Sequence, residues 1–124
     1  MLIGIGTDIL SRERLKRGLD RAFILRTYTP AEQAQGEMRT DPAAYYATRF
    51  AAKEAVYKAV SVSGAAFEPR EIETLDDECG RPSVRLSGET ARRVREYAGG
   101  GEYRILVSLS YEDTAAIAFA AAEV

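Results

Sequence analysis

The sequence predicts an α+β fold: one domain over residues 1–124, with a mainly antiparallel sheet packed against helices. Three observations predict it. The chain has 124 residues, enough for a single hydrophobic core. Its patterned segments follow the order β-α-α-α-β-β-α-β-β, and two successive strand pairs are each joined by a short polar turn, as antiparallel hairpins are. No repeat, linker or low-complexity tract interrupts that order.

Each element has a local reason. Residues 2–9 are apolar and β-branched and read as a buried strand ending near Asp8. Residues 12–25 read as helical, with Gly18 as a candidate break; Leu15, Leu19, Ala22 and Phe23 then share one face. Thr29-Pro30-Ala31-Glu32 is a capping box with proline at the first helical position. Asp41-Pro42 opens the longest helix, residues 42–60, which is rich in alanine and has no interior glycine. A glycine-containing stretch, residues 61–69, ends it. Residues 71–75 and 83–86 read as strands joined by a turn over 76–81. Ser87 is the expected cap of a helix reaching residue 98, stopped by Gly99-Gly100-Gly101. Residues 103–110 and 115–121 form the last strand pair around Glu112-Asp113.

Composition narrows the function. Hydrophobic residues make up 46% and charged residues 29%, the balance of a soluble globular chain. No apolar run approaches a membrane span, and Asp8 interrupts the apolar start, so neither a membrane segment nor a signal peptide is expected. Cys79, the lone cysteine, cannot form an internal disulfide, which fits a reducing cytoplasm. Histidine is absent, which removes Ser-His-Asp hydrolysis, Cys-His chemistry and histidine-rich zinc sites. A metal here must be held by oxygen, which selects hard cations such as magnesium, manganese or calcium.

Charge is uneven. Residues 12–26 hold six basic and two acidic side chains, a net +4 within a chain of net −2. Such a basic segment fits one local anionic partner rather than general nucleic-acid binding; the plain alternative is a solvated helix face.

Two clusters could carry chemistry. Gly4-Ile5-Gly6-Thr7-Asp8 resembles a phosphate loop, but the glycines sit inside the strand and GxGxxG is not completed. Strand glycines instead mark close approach by another backbone or a ligand. Asp8 at the strand exit serves equally well as a cap for the next helix. The second cluster is Arg49-Phe50-Ala51-Ala52-Lys53-Glu54-Ala55-Val56-Tyr57-Lys58-Ala59, in which Glu54 and Lys58 share a helix face. Phe50, Glu54 and Tyr57 make a stripe, so Glu54 needs a cation or a metal unless the pair is merely exposed.

GIGTDI followed by RFAAKEAVYKA resembles the holo-acyl-carrier-protein synthases of the phosphopantetheinyl transferase family. Thr29-Pro30-Ala31-Glu32, the turn Asp77-Glu78-Cys79-Gly80-Arg81-Pro82 and Ser108-Leu109-Ser110 continue the likeness in order over nearly the whole chain. The resemblance implies a phosphopantetheinyl transferase-like fold. It also implies transfer of 4′-phosphopantetheine from coenzyme A to a serine of an acidic apo-acyl carrier protein, with release of adenosine 3′,5′-bisphosphate. Asp8 and Glu54 match the family's magnesium ligands, with manganese the alternative ion, and with Lys58 they form the implied catalytic set. Arg49, Lys58, Pro82, Ser110 and Tyr111 fall at coenzyme A positions. Arg14, with Lys16, Arg17 and Arg21, falls at the carrier-docking helix. A homotrimer with sites between protomers is implied as well.

One position departs: the family's S-x-S-H reads Ser108-Leu109-Ser110-Tyr111, and a phenol cannot supply imidazolium charge. Two rival readings follow, a non-catalytic carrier-binding paralogue and a small carboxylate-metal phosphohydrolase that needs no carrier. Retention of Asp8, Glu54 and Lys58 together favours an active transferase.

Overall fold

In the computed structural model, which describes residues 1–124, the amino-terminal alternation forms β1, Leu2–Ser11. It runs past Asp8, so Asp8 is a strand residue; the helix cap is Ser11, whose Oγ accepts from the Arg14 N–H at 3.2 Å. The helical stretch breaks at Gly18, the expected break: α1 (Arg12–Gly18) ends there and α2 (Arg21–Thr27) starts afresh, because Asp20 caps it by accepting from the Phe23 N–H at 2.8 Å. Leu15, Leu19, Phe23 and Ile24 pack round buried Tyr28, Tyr45 and Tyr46, whereas the expected face member Ala22 is exposed.

The capping box at Thr29 and Glu32 opens α3 (Pro30–Glu37), and Asp41 caps α4 (Pro42–Val60). Two short 3-10 turns, Ser61–Ser63 and Pro69–Glu71, lead into β2 (Ile72–Asp76), followed by β3 (Pro82–Leu86), α5 (Gly88–Tyr97), β4 (Arg104–Tyr111) and β5 (Ala115–Glu123). Ser87 makes no side-chain cap for α5. That role falls to Glu71, expected to begin a strand: its carboxylate accepts from the N–H groups of Glu89 and Thr90 at 3.2 and 2.9 Å. Chiefly the Thr90 N–H holds the Glu71 carboxyl below its ordinary range.

The expected antiparallel pairing is present but divides into two sheets. One has the order β1-β5-β4; the other is the β2-β3 hairpin, with β3 alongside β4. β1 and β4 are therefore opposite edges of the first sheet. Helix α4 covers one face of it through small side chains. Ala51, Ala52, Ala55 and Ala59 on the helix and Ala118, Ala120 and Ala122 on β5 are all buried.

The strand glycines complete this approach. A Cβ added at Gly4 would lie 1.9 Å from the Ala59 carbonyl oxygen, and one at Gly6 would lie 1.9 Å from that of Ala55. Backbone contact between strand and helix is the role that glycine inside a strand predicts. The opposite face of the sheet is uncovered. Ile5 and Ile9 on β1, Leu106 on β4, and Ile117 and Phe119 on β5 are exposed, so β1 is one-sided rather than buried.

α3 is tied to α4 and β2 by an ion pair with no exposed surface. Lys53 Nζ donates to Glu32 Oε1 at 2.7 Å and to the carbonyls of Pro69 and Ile72 at 2.8 and 2.7 Å. Glu32 also accepts from the N–H groups of Thr29 and Thr74, each at 2.9 Å. Burial lowers the Lys53 pKa and the Glu32 charge works against that shift.

Candidate functional site

Strand register decides where Asp8 points. Gly4, Gly6 and Asp8 pair with Ala122, Ala120 and Ala118, residues that face α4. The two glycines let the helix backbone close on the strand. Asp8 is then the next residue on that face, and the first with a side chain to reach past the helix. Lys58 Nζ donates to the Thr7 carbonyl at 2.9 Å and lies 3.6 Å from Asp8 Oδ1. The expected Glu54–Lys58 pair is not the one that forms; Lys58 turns to β1.

Asp8, Glu54 and Lys58 thus meet at the β1 edge. Burial raises the Asp8 pKa, with the Lys58 charge opposing. Burial also raises that of Glu54, the Asp8 charge adds to the rise and Lys58 opposes it. The two carboxylates repel each other and only Asp8 has the half-exposed Lys58 ammonium within ion-pair distance, so they favour a further cation. No set of three or more His, Cys, Asp or Glu side chains gathers anywhere in the chain. Two carboxylates without a third protein ligand fit a hard ion that keeps water and takes substrate oxygens, as magnesium does.

A cleft of roughly 960 Å³ lies elsewhere, between β4, the β3 entry and the first half of α4. Arg49, Pro82 and Tyr111 of the expected coenzyme A set line it; Ser110 does not, although Ser108 does, and Asp8, Glu54 and Lys58 are absent from it. Ser110, like Ser108, lies on the uncovered sheet face, opposite Ile117.

Arg49 is buried beside this cleft. Its guanidinium stacks on the Tyr45 ring at 4.2 Å, and Nη2 is 2.6 Å from Asp76 Oδ2. Nη1 donates to Thr48 Oγ1 at 3.0 Å, and Asp76 supplies the counter-charge, while Nε has no hydrogen-bond partner within the chain.

Asp76, Arg39 and Tyr45 were not singled out by the sequence. Gln35 brackets Asp76, donating to its carbonyl at 3.1 Å and accepting from its N–H at 3.0 Å. Asp76 also holds Arg39 at 2.8 Å, and Arg39 stacks on the other side of the cluster over Tyr45 at 5.1 Å. Burial foremost pushes the Tyr45 phenol up to about 12. No sequence signal marks Asp76, which reads as a turn residue.

Arg14, Lys16, Arg17 and Arg21 are all exposed on α1 and the start of α2. Only Arg17 has an acidic neighbour, Glu13 at 3.8 Å. No helix of the molecule is long and apolar enough to cross a membrane.

Residues 4–118 match the family model described as the 4′-phosphopantetheinyl transferase superfamily. The holo-[acyl-carrier-protein] synthase of Clostridium acetobutylicum is 38% identical over 126 aligned positions, covering 100% of this chain and 99% of that one. The crystal structure of holo-[acyl-carrier-protein] synthase from Neisseria meningitidis superposes with a TM-score of 0.83 at 36% identity, covering 100% of both chains. A Chronobacterium ammoniagenes ACPS–CoA complex superposes with a TM-score of 0.84 at 27% identity, covering 97% of this chain and 96% of that one.

Proposed function

The chain belongs to the 4′-phosphopantetheinyl transferase superfamily, and on that premise we propose that it is a holo-acyl-carrier-protein synthase acting as one transferase domain over residues 1–124. It moves 4′-phosphopantetheine from coenzyme A to a serine of an apo-acyl carrier protein. The serine oxygen bonds to the β-phosphorus, the bond from that phosphorus to the bridging oxygen breaks, and adenosine 3′,5′-bisphosphate leaves. A cytoplasmic location suits a coenzyme A-dependent reaction.

The observation that carries the reading is the meeting of Asp8 and Glu54 at the β1 edge with Lys58 against Asp8. Asp8 and Glu54 would hold magnesium, or manganese in its place. A divalent ion bound there supplies charge neutralisation on the diphosphate. Lys58 is placed to offset charge on the departing bisphosphate and to hold a proton for it. A water bound to Glu54 would relay the serine proton to that carboxylate, so no histidine is required. Arg49, which lines the cleft with Pro82 and Tyr111, supplies positive charge to a phosphate bound there. The test is the intact mass of apo-carrier incubated with enzyme, magnesium and coenzyme A. A gain of one phosphopantetheine is the expected result. Bisphosphate released without carrier would instead indicate a phosphohydrolase, and no turnover a binding module.

Separation of the acidic pair and the arginine cleft onto opposite edges of one sheet supports a shared site. In the proposed homotrimer, the β1 edge of one protomer faces the β4 edge of its neighbour. Ile5, Ile9, Leu106, Ile117 and Phe119 offer the apolar face for that association.

The carrier docks on α1, which opens four residues after Asp8. Reversal of charge in Arg14→Glu is expected to raise KM for carrier by at least about tenfold, equivalent to roughly 1.4 kcal/mol. The salt dependence of the rate should flatten, because part of the screened attraction has gone. Initial rates against carrier concentration at two ionic strengths, with saturating coenzyme A, measure both. Unchanged carrier and salt dependence would make this helix a solvated face.

A further inference from the structure

Arg12 belongs by composition to the basic segment, yet its side chain turns away from the exposed basic face and is only 18% exposed. It is the first residue of α1, and its N–H donates to the Thr114 carbonyl at 3.0 Å. Its guanidinium makes three contacts. Nη1 donates to the Glu112 carbonyl at 2.6 Å, Nη2 donates to Asp41 Oδ2 at 2.9 Å, and the group sits over the Tyr111 ring at 5.2 Å. Asp41 is engaged on its other oxygen, where Oδ1 accepts from the Ala44 N–H at 3.1 Å as the cap of α4. Asp41 and Tyr111 both line the large cleft, whereas Arg12 does not.

One guanidinium therefore joins the docking helix, the β4-β5 hairpin and the start of α4 at the cleft mouth. The planar fork suits this: its two Nη groups donate in different directions while its face lies over the ring. The Tyr111 hydroxyl makes no hydrogen bond within the chain, so orientation of the ring is left to the stack on Arg12.

We propose that Arg12 is a positioning residue for donor binding: it clamps Tyr111 and Asp41 at the mouth of the coenzyme A cleft and ties them to the base of the docking helix. This rests on the assignment of the cleft to coenzyme A made above. Arg12 acts through Tyr111 and Asp41 and touches no reacting atom. The clamp and the exposed basic side chains of the same short helix thus have separate tasks: Arg12 serves the donor, and Arg14 serves the carrier.

Direct titration of the assembled protein with coenzyme A in magnesium tests this. Arg12→Ala and Tyr111→Leu are each expected to weaken coenzyme A binding by about fivefold, somewhat more for Arg12 because it holds two groups. The double variant should be no weaker than Arg12→Ala alone, since both changes remove one unit. Asp41→Asn keeps a helix cap but removes the ion pair, so it should weaken coenzyme A binding while thermal stability stays near wild type. In steady state, Arg12→Ala should raise KM for coenzyme A and leave KM for carrier unchanged. A merely structural Arg12 would lower the active fraction and Tm without moving coenzyme A affinity. If wild-type protein binds coenzyme A and Arg12→Ala binds equally well, or if the two single effects multiply in the double variant, the clamp is overturned. Failure of wild-type protein to bind coenzyme A would overturn the assignment of the cleft itself.

Discussion

Replacement of Asp8 or Glu54 by alanine is expected to lower phosphopantetheine transfer by roughly three orders of magnitude, about 4 kcal/mol of transition-state stabilisation. The expectation rests on two carboxylates from separate elements, one on β1 and one on α4, with no third acidic ligand to compensate. The fold should survive. Burial holds both carboxyls above their ordinary range. Ionisation of these two groups is therefore less favourable in the folded chain than in the unfolded one, so their contribution to stability is greatest at low pH and declines as pH rises through the elevated values. Near neutrality each carboxylate is a net burden on the metal-free protein, and alanine removes it. Tm without divalent ion should hold or rise, and stabilisation of the wild type by magnesium should vanish in both variants. Full turnover by either variant with magnesium as the sole divalent ion would refute the catalytic assignment. Loss of activity with a collapsed Tm would refute the argument for separable roles.

The second large effect concerns stability rather than turnover. Lys53→Met should destabilise the chain by about 3–5 kcal/mol, because it leaves the Glu32 carboxylate without its cation in a site closed to water. For a chain of this length that corresponds to a fall in Tm of roughly 10–20 °C. Apolar replacement of a buried pair often restores stability, but here it should fall short. Glu32 also accepts from the N–H groups of Thr29 and Thr74, which a Glu32→Met/Lys53→Met double variant would leave unpaired. Thermal melts of the two single variants and the double variant decide this. A double variant as stable as wild type would show that backbone satisfaction at Glu32 contributes little.

The acidic pair was legible because each half had a local reason: glycines in a strand where a helix must touch, and a carboxylate on an alanine-rich helix. The edges on which the two halves of the site fall were not legible. β5 pairs between β1 and β4, and no adjacent stretch of sequence encodes that insertion. Asp76 and Gln35 were missed for a related reason, since their contacts cross from β2 to α3 over forty positions. Lys53 reads only as one more residue of the alanine-rich helix, because helix spacing says nothing of Glu32, which lies 21 positions earlier. Conversely, the helix caps at Thr29 and Asp41 were readable because the hydrogen bonds span only three residues. Local chemistry travels in the sequence; long-range satisfaction does not.

Placement of the acidic pair and the arginine cleft on opposite edges has a genetic consequence. In the proposed homotrimer, two inactive alleles are expected to rescue each other. A protomer with Asp8→Ala lacks a working β1 edge but keeps its cleft, while one with Arg49→Gln keeps the acidic pair and loses the cleft. In a closed ring of three containing both types, one junction always joins the sound β1 edge to the sound β4 edge. Subunits mixed in equal amounts and allowed to exchange should regain roughly a quarter of wild-type sites, although each parent alone is dead. A site formed within a single chain would regain none. Interallelic complementation, measured after denaturing and refolding the two variants together, therefore reads the geometry of the active site without a crystal of the complex.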